Sequence, residues 1–216
     1  MTLQALVIGD TGGIGAAIRD ELITRDWSVR GLSRSRDGLD ITDEASISAA
    51  LEALEGPFDL IFVATGQLGT PEKSLDRLNA QELVSQFQVN AVGPALVLKH
   101  ARGLLARDRP AWFGALSARV GSIGDNRLGG WYSYRSAKAA LNQLLHGAAI
   151  ELARSHPKLT VACLHPGTVD TAFTADYPRE KLAPPDAAQR LIDVLTGISP
   201  DKSGGFYDYA GKEVAW

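Results

Sequence analysis

A phenol and an ammonium group stand four residues apart in this chain, at Tyr134 and Lys138. The apolar-periodic run that begins there predicts a helix over 134–155, which places both side chains on one face. A free tyrosine has a pKa near ~10, and a fixed positive charge nearby favours the phenolate and lowers that pKa. The pair is therefore a candidate acid or base. A surface tyrosine and lysine on an amphipathic helix would show the same spacing.

Length and composition limit the class of protein. The chain has 216 residues, of which 45% are hydrophobic, which indicates one domain over 1–216 with a sizeable core. Its net charge of −3 does not favour a nucleic acid partner, which needs a basic face. Cys163 is the only cysteine, so no disulfide or cysteine zinc site is expected, and the histidines lack the spacing of metal ligands.

Targeting signals are also missing from the sequence. No apolar run approaches the roughly 18 residues of a membrane span, and the first residues lack the basic region of a signal peptide. We therefore expect no membrane partner and a cytoplasmic location, where a lone thiol stays reduced.

Apolar runs alternate with helical patterns along the chain. The predicted strands cover 3–8, 27–32, 39–42, 58–64, 111–116, 160–164 and 204–209. Helical patterns lie between most of them, including a long one over 79–106 that Pro94 should kink or restart. This alternation predicts an α/β fold with a doubly wound parallel sheet and helices on both faces. Ligands of such sheets bind beyond the carboxyl ends of the strands.

A glycine-rich turn joins the first predicted strand to a helix. Its glycines are Gly9, Gly13 and Gly15, a G-x-x-x-G-x-G spacing rather than the G-x-G-x-x-G dinucleotide fingerprint. Strand, glycine turn and helix together direct free backbone N–H groups at a phosphate. A plain tight turn is the alternative interpretation.

The second predicted strand ends at Ser33 and Arg34. In a dinucleotide fold this strand end meets the adenosine ribose, where an acid accepts from a 2′-hydroxyl and an arginine suits a 2′-phosphate. Neither residue is acidic, so a dinucleotide bound here would be NADP(H) rather than NAD(H). A solvated basic loop is the alternative.

Three further strand ends carry candidate site residues. Thr65 and Gly66 follow one strand, 117–122 follow the next, and 166–171 follow the sixth. Asn90 lies in the long helical region, where a polar group exposed to solvent is its simplest interpretation. Together with the glycine turn and the Ser33–Arg34 end, five loops are predicted to converge on one crevice.

These features resemble the short-chain dehydrogenase/reductase family over essentially the whole chain. The glycine spacing resembles the family's cofactor loop, and Tyr134 with Lys138 resembles its catalytic pair. The 124–131 insertion and the 211–216 tail are most similar to the small C-factor and sniffer-type carbonyl reductases. The resemblance implies a Rossmann-like fold and hydride transfer between NADP(H) and a carbonyl or alcohol. In that reaction Tyr134 would exchange the proton, Lys138 would lower its pKa and hold the ribose, and Asn90 would anchor a relay water.

The same resemblance implies a set of cofactor-binding residues: Gly9, Thr11, Gly12, Gly13, Ile14, Gly15, Ser33, Arg34, Asp40, Ile41, Ala64, Thr65, Gly66, Asn90, Tyr134, Lys138, Pro166, Gly167, Val169 and Thr171.

One catalytic position departs from the family pattern. The subgroup has two serines after this strand, and the second is normally catalytic; here Ser117 holds the first place and Ala118 the second. Ser117 would serve if the strand end twists, Ser122 if its loop folds inward, and otherwise one donor to the carbonyl oxygen is missing. We take Ser117 as the candidate, beside Tyr134, Lys138 and Asn90. The alternative function is an NADP-binding sensor or C-factor-like signalling protein with little turnover.

The expected partners are a small carbonyl or alcohol substrate and further copies of the chain. The apolar faces of the helices over 79–106 and 134–155 exceed what one sheet face can cover, and the family resemblance implies a homodimer or homotetramer built on them. The segment over 172–183 should line a short, open substrate pocket.

Overall fold

The computed structural model describes residues 2–178 and 180–216; Met1, and Arg179 in the predicted pocket segment, lie outside the described residues. The sheet comprises six strands: β1 (Gln4–Ile8), β2 (Ser28–Leu32), β3 (Leu60–Val63), β4 (Ala111–Leu116), β5 (Leu159–His165) and β6 (Gly205–Asp208). The helices are α1 (Gly13–Thr24), α2 (Arg34–Asp37), α3 (Glu44–Glu52), α4 (Ala80–Phe87), α5 (Gly93–Ala101), α6 (Tyr132–Leu152) and α7 (Pro184–Gly197). All strand pairs are parallel, in the order β2-β1-β3-β4-β5-β6.

Both faces of the sheet are covered by helices, which confirms the predicted fold class. Strand alternation sends Leu6 and Ile8 into the core on the α3, α5 and α6 side. Ala5 and Val7 point the other way, into the core shared with α1 and α7. Double coverage explains why β3 is apolar at every position and fully buried.

The strand register brings the strand ends to one edge. Ile8 is paired with Leu32 and with Val63, Val63 with Ala115, and Ala115 with Cys163. The loops that follow these strands therefore start at one level, and the predicted crevice lies at this carboxyl edge.

One local prediction is wrong. Residues 39–42 form no strand: the Asp40 carboxylate accepts from the backbone N–H of Thr42 at 2.9 Å and from its hydroxyl at 2.7 Å, which closes a turn. Residues 34–37, for which a solvated basic loop is the alternative interpretation, form the short helix α2, because Ser33 accepts from the Arg36 N–H at its start.

The long helical region is interrupted where Pro94 predicted a kink. Between α4 and α5, Gln88–Val92 form a π-helical turn in which the Gly93 N–H donates to the carbonyl of Gln88, five residues back. Pro94 is the second residue of α5 and has no N–H for the carbonyl of Asn90. The irregular turn places Asn90 at its centre, fully buried rather than exposed.

The α6 helix begins two residues before its predicted start and presents the expected apolar stripe, apart from Leu144, which is 45% exposed. No helix within the described residues has the length and apolar character to cross a membrane.

Candidate active site

The glycine turn after β1 has no room for side chains. A Cβ on Gly15 would lie 2.1 Å from the carbonyl oxygen of Gly9, and one on Gly13 would lie 2.5 Å from Cγ2 of Thr171. The first contact holds the turn tight against the start of α1, and the second brings the loop after β5 onto it. Thr11, Gly12 and Gly13 are exposed, so the amide edge of the turn is open to a ligand.

Ser33 and Arg34, which follow β2, differ in exposure and in hydrogen bonding. Ser33 is buried, its N–H donates to Asp37 at 2.8 Å, and its hydroxyl oxygen caps α2. Arg34 is exposed at the start of α2. Only the arginine of this predicted pair is therefore available to a ligand through its side chain.

A second arginine, which the sequence reasoning missed, stands beside the glycine turn. Arg36 donates to both carboxylate oxygens of Asp10, at 2.9 and 3.0 Å, and these bonds raise the pKa of Arg36 further above its ordinary value. Asp10 is fully buried and packs over Gly31, where a Cβ would lie 2.0 Å from a carboxylate oxygen. The missing side chain at Gly31 was the available sequence signal, but no local pattern links it to Asp10.

Asp40 and Ile41, which the family resemblance implies as cofactor-binding residues, follow α2. The hydrogen bonds from Thr42 lower the pKa of Asp40, so its carboxylate is held ionised in the turn. Ile41 packs against α5, where a Cβ on Gly93 would lie 2.5 Å from Cγ1 of Ile41.

Asn90 contacts the segment that follows β3. Its Nδ2 donates to the carbonyl of Gln67 at 2.9 Å and to Oε1 of Gln86 at 2.6 Å, while its Oδ1 accepts from the Gln67 N–H at 3.2 Å. A Cβ on Gly66 would lie 3.1 Å from Oδ1 of Asn90 and 3.8 Å from Nζ of Lys138. The structure therefore brings Gly66, Asn90 and Lys138 together, as the sequence predicted.

Lys138 lies one helical turn after Tyr134 on α6, and both side chains are buried. The Lys138 ammonium donates to the carbonyl of Leu116 at 2.8 Å and lies 5.8 Å from the centre of the Tyr134 ring. Burial lowers the pKa of Lys138 to about 8. An ammonium has three N–H groups, so two remain for a ligand.

The pKa of Tyr134 is displaced in the direction opposite to the expected one. Burial raises it above the ordinary tyrosine value, and the nearby Tyr177 phenol adds to the effect. The ammonium of Lys138 is engaged by Leu116 and does not offset the loss of water. The Tyr134 phenol therefore stays protonated at neutral pH in this geometry.

Aromatic rings account for much of that burial. The Tyr134 ring centre lies 6.3 Å from that of Trp131 and 6.2 Å from that of Phe173, and Tyr177 lies 6.0 Å from Trp131. Phe173 and Tyr177 lie in the segment 172–183 that is predicted to line the pocket, and no sequence pattern marks these rings.

The Ser117 hydroxyl is directed at α6 rather than held beside Tyr134. It donates to Oδ1 of Asn142 at 2.7 Å, and Asn142 lies eight residues, about 12 Å of helix, beyond Tyr134. Ser122 accepts from the Asp125 N–H at 3.1 Å. Within residues 2–178 and 180–216, no hydrogen bond joins the tyrosine hydroxyl to either serine. This geometry does not support Ser117 as the catalytic donor, because strand alternation turns its side chain into the core.

The loop after β5 closes the crevice. Val169 is buried and bridges to Leu182, Gly167 has a positive φ of 78°, and Thr171 reaches Gly13. The predicted segment 166–171 therefore lies against the predicted glycine turn.

The protein-family model described as short chain dehydrogenase matches residues 38–182 of this chain. The chain belongs to the short-chain dehydrogenase/reductase family. Two similar proteins are the 1-hydroxy-2-glutathionyl-2-methyl-3-butene dehydrogenase of Rhodococcus sp., 31% identical over 98% of both chains, and the C-signal of Myxococcus xanthus, 32% identical over 77% of this chain and 98% of that protein.

Solved structures of the short-chain dehydrogenase/reductase family share the fold. One from Burkholderia multivorans with bound NADP superposes with a TM-score of 0.85 at 27% identity, with full coverage of both chains. The carbonyl reductase Sniffer of Drosophila melanogaster superposes with a TM-score of 0.88 at 21% identity, also over both full chains. The predicted resemblance to the C-factor and sniffer-type members of the family is confirmed.

Proposed function

We propose that this short-chain dehydrogenase/reductase is an NADP(H)-dependent oxidoreductase that interconverts a carbonyl and an alcohol, with Tyr134 as the acid or base. The observation that carries the proposal is the placement of Tyr134 and Lys138, buried one turn apart on α6, with Gly66 and Asn90 beside the lysine.

The residues around the crevice fit a nicotinamide dinucleotide. The side-chain-free turn at Gly9, Gly13 and Gly15 supplies backbone donors for a pyrophosphate. The buried hydroxyl of Thr65 has no partner within the described residues, and it lies at the end of β3 where a ligand would run. Lys138 retains two N–H groups for a ribose, and the loop 166–171 flanks the place of a nicotinamide.

In the proposed reaction the protein moves a proton while the hydride comes from the cofactor. When bound, a reduced nicotinamide supplies that hydride. Tyr134 gives its phenolic proton to the oxygen of the carbonyl as negative charge develops there. Burial keeps this phenol protonated, so its proton is in place for a carbonyl reduction, and the raised pKa also makes the phenol a weaker acid. The carbonyl of Asn90, which Pro94 leaves without its usual donor, is a candidate anchor for a relay water.

We also propose a preference for NADP(H) over NAD(H). Arg34 is exposed at the strand end, Arg36 is held by the buried Asp10 beside the glycine turn, and the Burkholderia structure that resembles this chain contains NADP. A 2′-phosphate accepts charge-assisted hydrogen bonds from such guanidinium groups. Calorimetric titration with both cofactors tests this: Arg34→Asp should reverse or abolish the preference, whereas equal affinity of the wild type for both would refute it.

The residues at the serine position support a second candidate function. With Ala118 in the usual catalytic place and the Ser117 hydroxyl on Asn142, the site has one donor fewer, and the C-signal of Myxococcus xanthus is similar to this chain. That arrangement fits an NADP-binding sensor with little turnover. Turnover with NADPH on a panel of aldehydes, ketones and quinones separates the two: steady reduction supports the oxidoreductase, and tight NADPH binding without reduction supports the sensor.

The proposed assembly is a homodimer or homotetramer. Val84 on α4 is 55% exposed and Leu144 on α6 is 45% exposed, so both helices present apolar side chains to solvent. A mass near the 23.0 kDa of one chain by light scattering at micromolar concentration would contradict it. The proposed cytoplasmic location rests on the single buried thiol of Cys163.

A further inference from the structure

Glu72 is a buried acid in the segment that follows β3, and the proposed reaction gives it no part. Its side chain is 5% exposed, and within the described part of the chain it forms no ion pair. Its hydrogen bonds run to the start of α6: the Ser133 N–H lies 3.3 and 3.2 Å from its two oxygens, and the Ser133 hydroxyl donates to it as well. Removing a carboxylate from water is unfavourable unless such donors compensate it.

The α6 helix lacks a cap of its own. Trp131 precedes it in a left-handed conformation, with φ 53°, and offers no capping side chain. The first helical bond is the one from the Arg135 N–H to the carbonyl of Trp131. The N–H groups of Tyr132, Ser133 and Tyr134 therefore have no partner inside the helix, and a negative charge near them is favourable.

Glu72 supplies this cap from a distant part of the chain. Its backbone carbonyl also accepts from the Trp131 N–H at 2.6 Å, so main chain and side chain together hold residues 131–133. Tyr134 is the next residue. One turn later, the bond from Lys138 to Leu116 fixes the helix independently. The part of α6 that depends on Glu72 is thus the turn that carries Tyr134.

The segment that carries Glu72 also touches the crevice. Five residues earlier, both backbone groups of Gln67 are bonded to the Asn90 side chain. One short segment therefore contacts Asn90 at one end and the start of the tyrosine helix at the other.

We propose that Glu72 is a positioning residue that sets the Tyr134 phenol relative to Asn90 and Lys138. The inference rests on the proposed oxidoreductase function. Loss of the cap lets the first turn of α6 loosen, and a displacement of about 1 Å at a reacting group lowers turnover about 100-fold. Cofactor binding depends on other contacts and is retained.

The test compares Glu72→Ala with Asp59→Ala, using NADPH and the best carbonyl of the panel. Asp59 is also a buried carboxylate that accepts a backbone N–H, from Gln4 at 2.8 Å, but it precedes β3 at the opposite edge of the sheet. At equal folded fraction, Glu72→Ala should lower kcat about 10- to 100-fold with NADPH affinity unchanged, while Asp59→Ala should lower Tm and leave kcat within about twofold. Equal kcat values for the two variants would overturn the proposal.

Conservative variants keep the test decisive if Glu72→Ala does not fold. Glu72→Gln keeps an acceptor for the Ser133 N–H and should recover kcat to within about threefold of the wild type. Ser133→Ala loses only the hydroxyl bond and should lower kcat about 3- to 10-fold. A wild-type kcat in Ser133→Ala, or a Glu72→Gln variant more than about tenfold slower than the wild type, contradicts the positioning role.

Hydrogen exchange separates this inference from the proposed function. In Glu72→Ala the amides of Ser133 and Arg135, which are hydrogen-bonded in the wild type, should exchange faster, while those of 139–145 should not change. A wild type without turnover refutes the oxidoreductase, whereas unchanged exchange at Ser133 and Arg135 refutes the cap.

Discussion

The two walls of the crevice are built in opposite ways. The cofactor wall is the glycine turn 9–15, and its backbone can pack closely only because Gly15 has no side chain. A Cβ on Gly15 would lie 2.1 Å from the carbonyl oxygen of Gly9. On the acid–base wall, formed by Asn90, Tyr134 and Lys138, contact depends on side chains that are present and buried. The first wall offers a solvated backbone to an anion, and the second holds ionisable groups away from water.

The two walls also differ in what they contribute to the free energy of unfolding. An exposed turn with few side chains gives little stability but also buries no charge. The buried Lys138 lowers the free energy of unfolding while it is charged, because burial disfavours the ammonium. The acid–base wall therefore needs long-range hydrogen bonds, such as Lys138 to Leu116 and Ser117 to Asn142, to keep its shape.

The largest expected effect lies on the acid–base wall. Tyr134→Phe keeps the ring packed against Trp131 and Phe173 and removes only the proton. General acid catalysis is typically worth about 10²- to 10⁴-fold, so kcat should fall by that factor while NADPH affinity by calorimetry stays the same. Tyr132→Phe is the matched control, since the residue four positions on is Ser136 rather than a lysine. A larger loss in Tyr132→Phe would show that the wrong tyrosine was assigned.

The cost of burying Lys138 should appear as a pH dependence. Its pKa falls from 10.5 to about 8 in the folded protein, so between these values the unfolded chain holds a proton that the folded protein has lost. The free energy of unfolding therefore rises with pH across this window, and the destabilisation is fully present below it.

Urea unfolding of the wild type and Lys138→Met measures this effect. From about pH 8 to about pH 10.5 the wild type should gain on the order of 3 kcal/mol relative to the variant. The raised pKa of Tyr134 acts in the opposite direction above its ordinary value of 10, but both proteins share it and the subtraction removes it. Parallel curves would show that the lysine titrates normally.

The cofactor wall should fail when a side chain is added. Gly15→Ala places a methyl group against the backbone oxygen of Gly9, which cannot move aside as a flexible side chain would. Overpacking of this kind costs about 1–3 kcal/mol, so NADPH should bind about 10- to 100-fold more weakly by fluorescence titration.

Gly147→Ala is the control for this variant, because a Cβ there meets nothing within 4 Å on the exposed side of α6. It should bind NADPH as the wild type does and be slightly more stable. Wild-type affinity in Gly15→Ala would mean that the turn has more freedom than the contacts indicate.

The smallest expected effect is a gain. Ala118→Ser adds a hydroxyl at the family's usual serine position, and an added donor that is less preorganised than a native one should raise kcat about tenfold. Ser117→Ala leaves Oδ1 of Asn142 without its donor, so it should lower the free energy of unfolding by about 1–3 kcal/mol with kcat unchanged. Loss of turnover in Ser117→Ala at unchanged NADPH affinity would restore Ser117 as the donor.

The two walls of the crevice also differ in how much of each could be predicted from the sequence. Glycine spacing and unbroken apolar strands are local, so the cofactor turn, the sheet and the Tyr134–Lys138 helix were predicted from the residues themselves. The strand predicted over 39–42 failed because an Asp40 side chain competes for the backbone within three residues, and apolar character alone does not reveal that competition.

For the acid–base wall, the sequence predicted the residues but not the hydrogen bonds that support them. Ser117 bonds to Asn142 and Glu72 bonds to Ser133 across long stretches of chain, and no periodicity marks these partners in advance. The bond from Arg36 to Asp10 beside the cofactor turn has the same long-range character. The tyrosine pKa had the wrong predicted direction because burial by the rings of Trp131 and Phe173 cannot be read from a spacing of four residues.

The bond between Glu72 and Ser133 also has a consequence for how the protein is made. The two residues are 61 positions apart, so at a synthesis rate of 5–20 residues per second the acid leaves the ribosome about 3 to 12 seconds before its partner does. Strands β1 to β3 are complete before Glu72 is made. During that interval the nascent chain contains the residues of its cofactor turn but neither Tyr134 nor Lys138, and the carboxylate of Glu72 has no Ser133 to accept from.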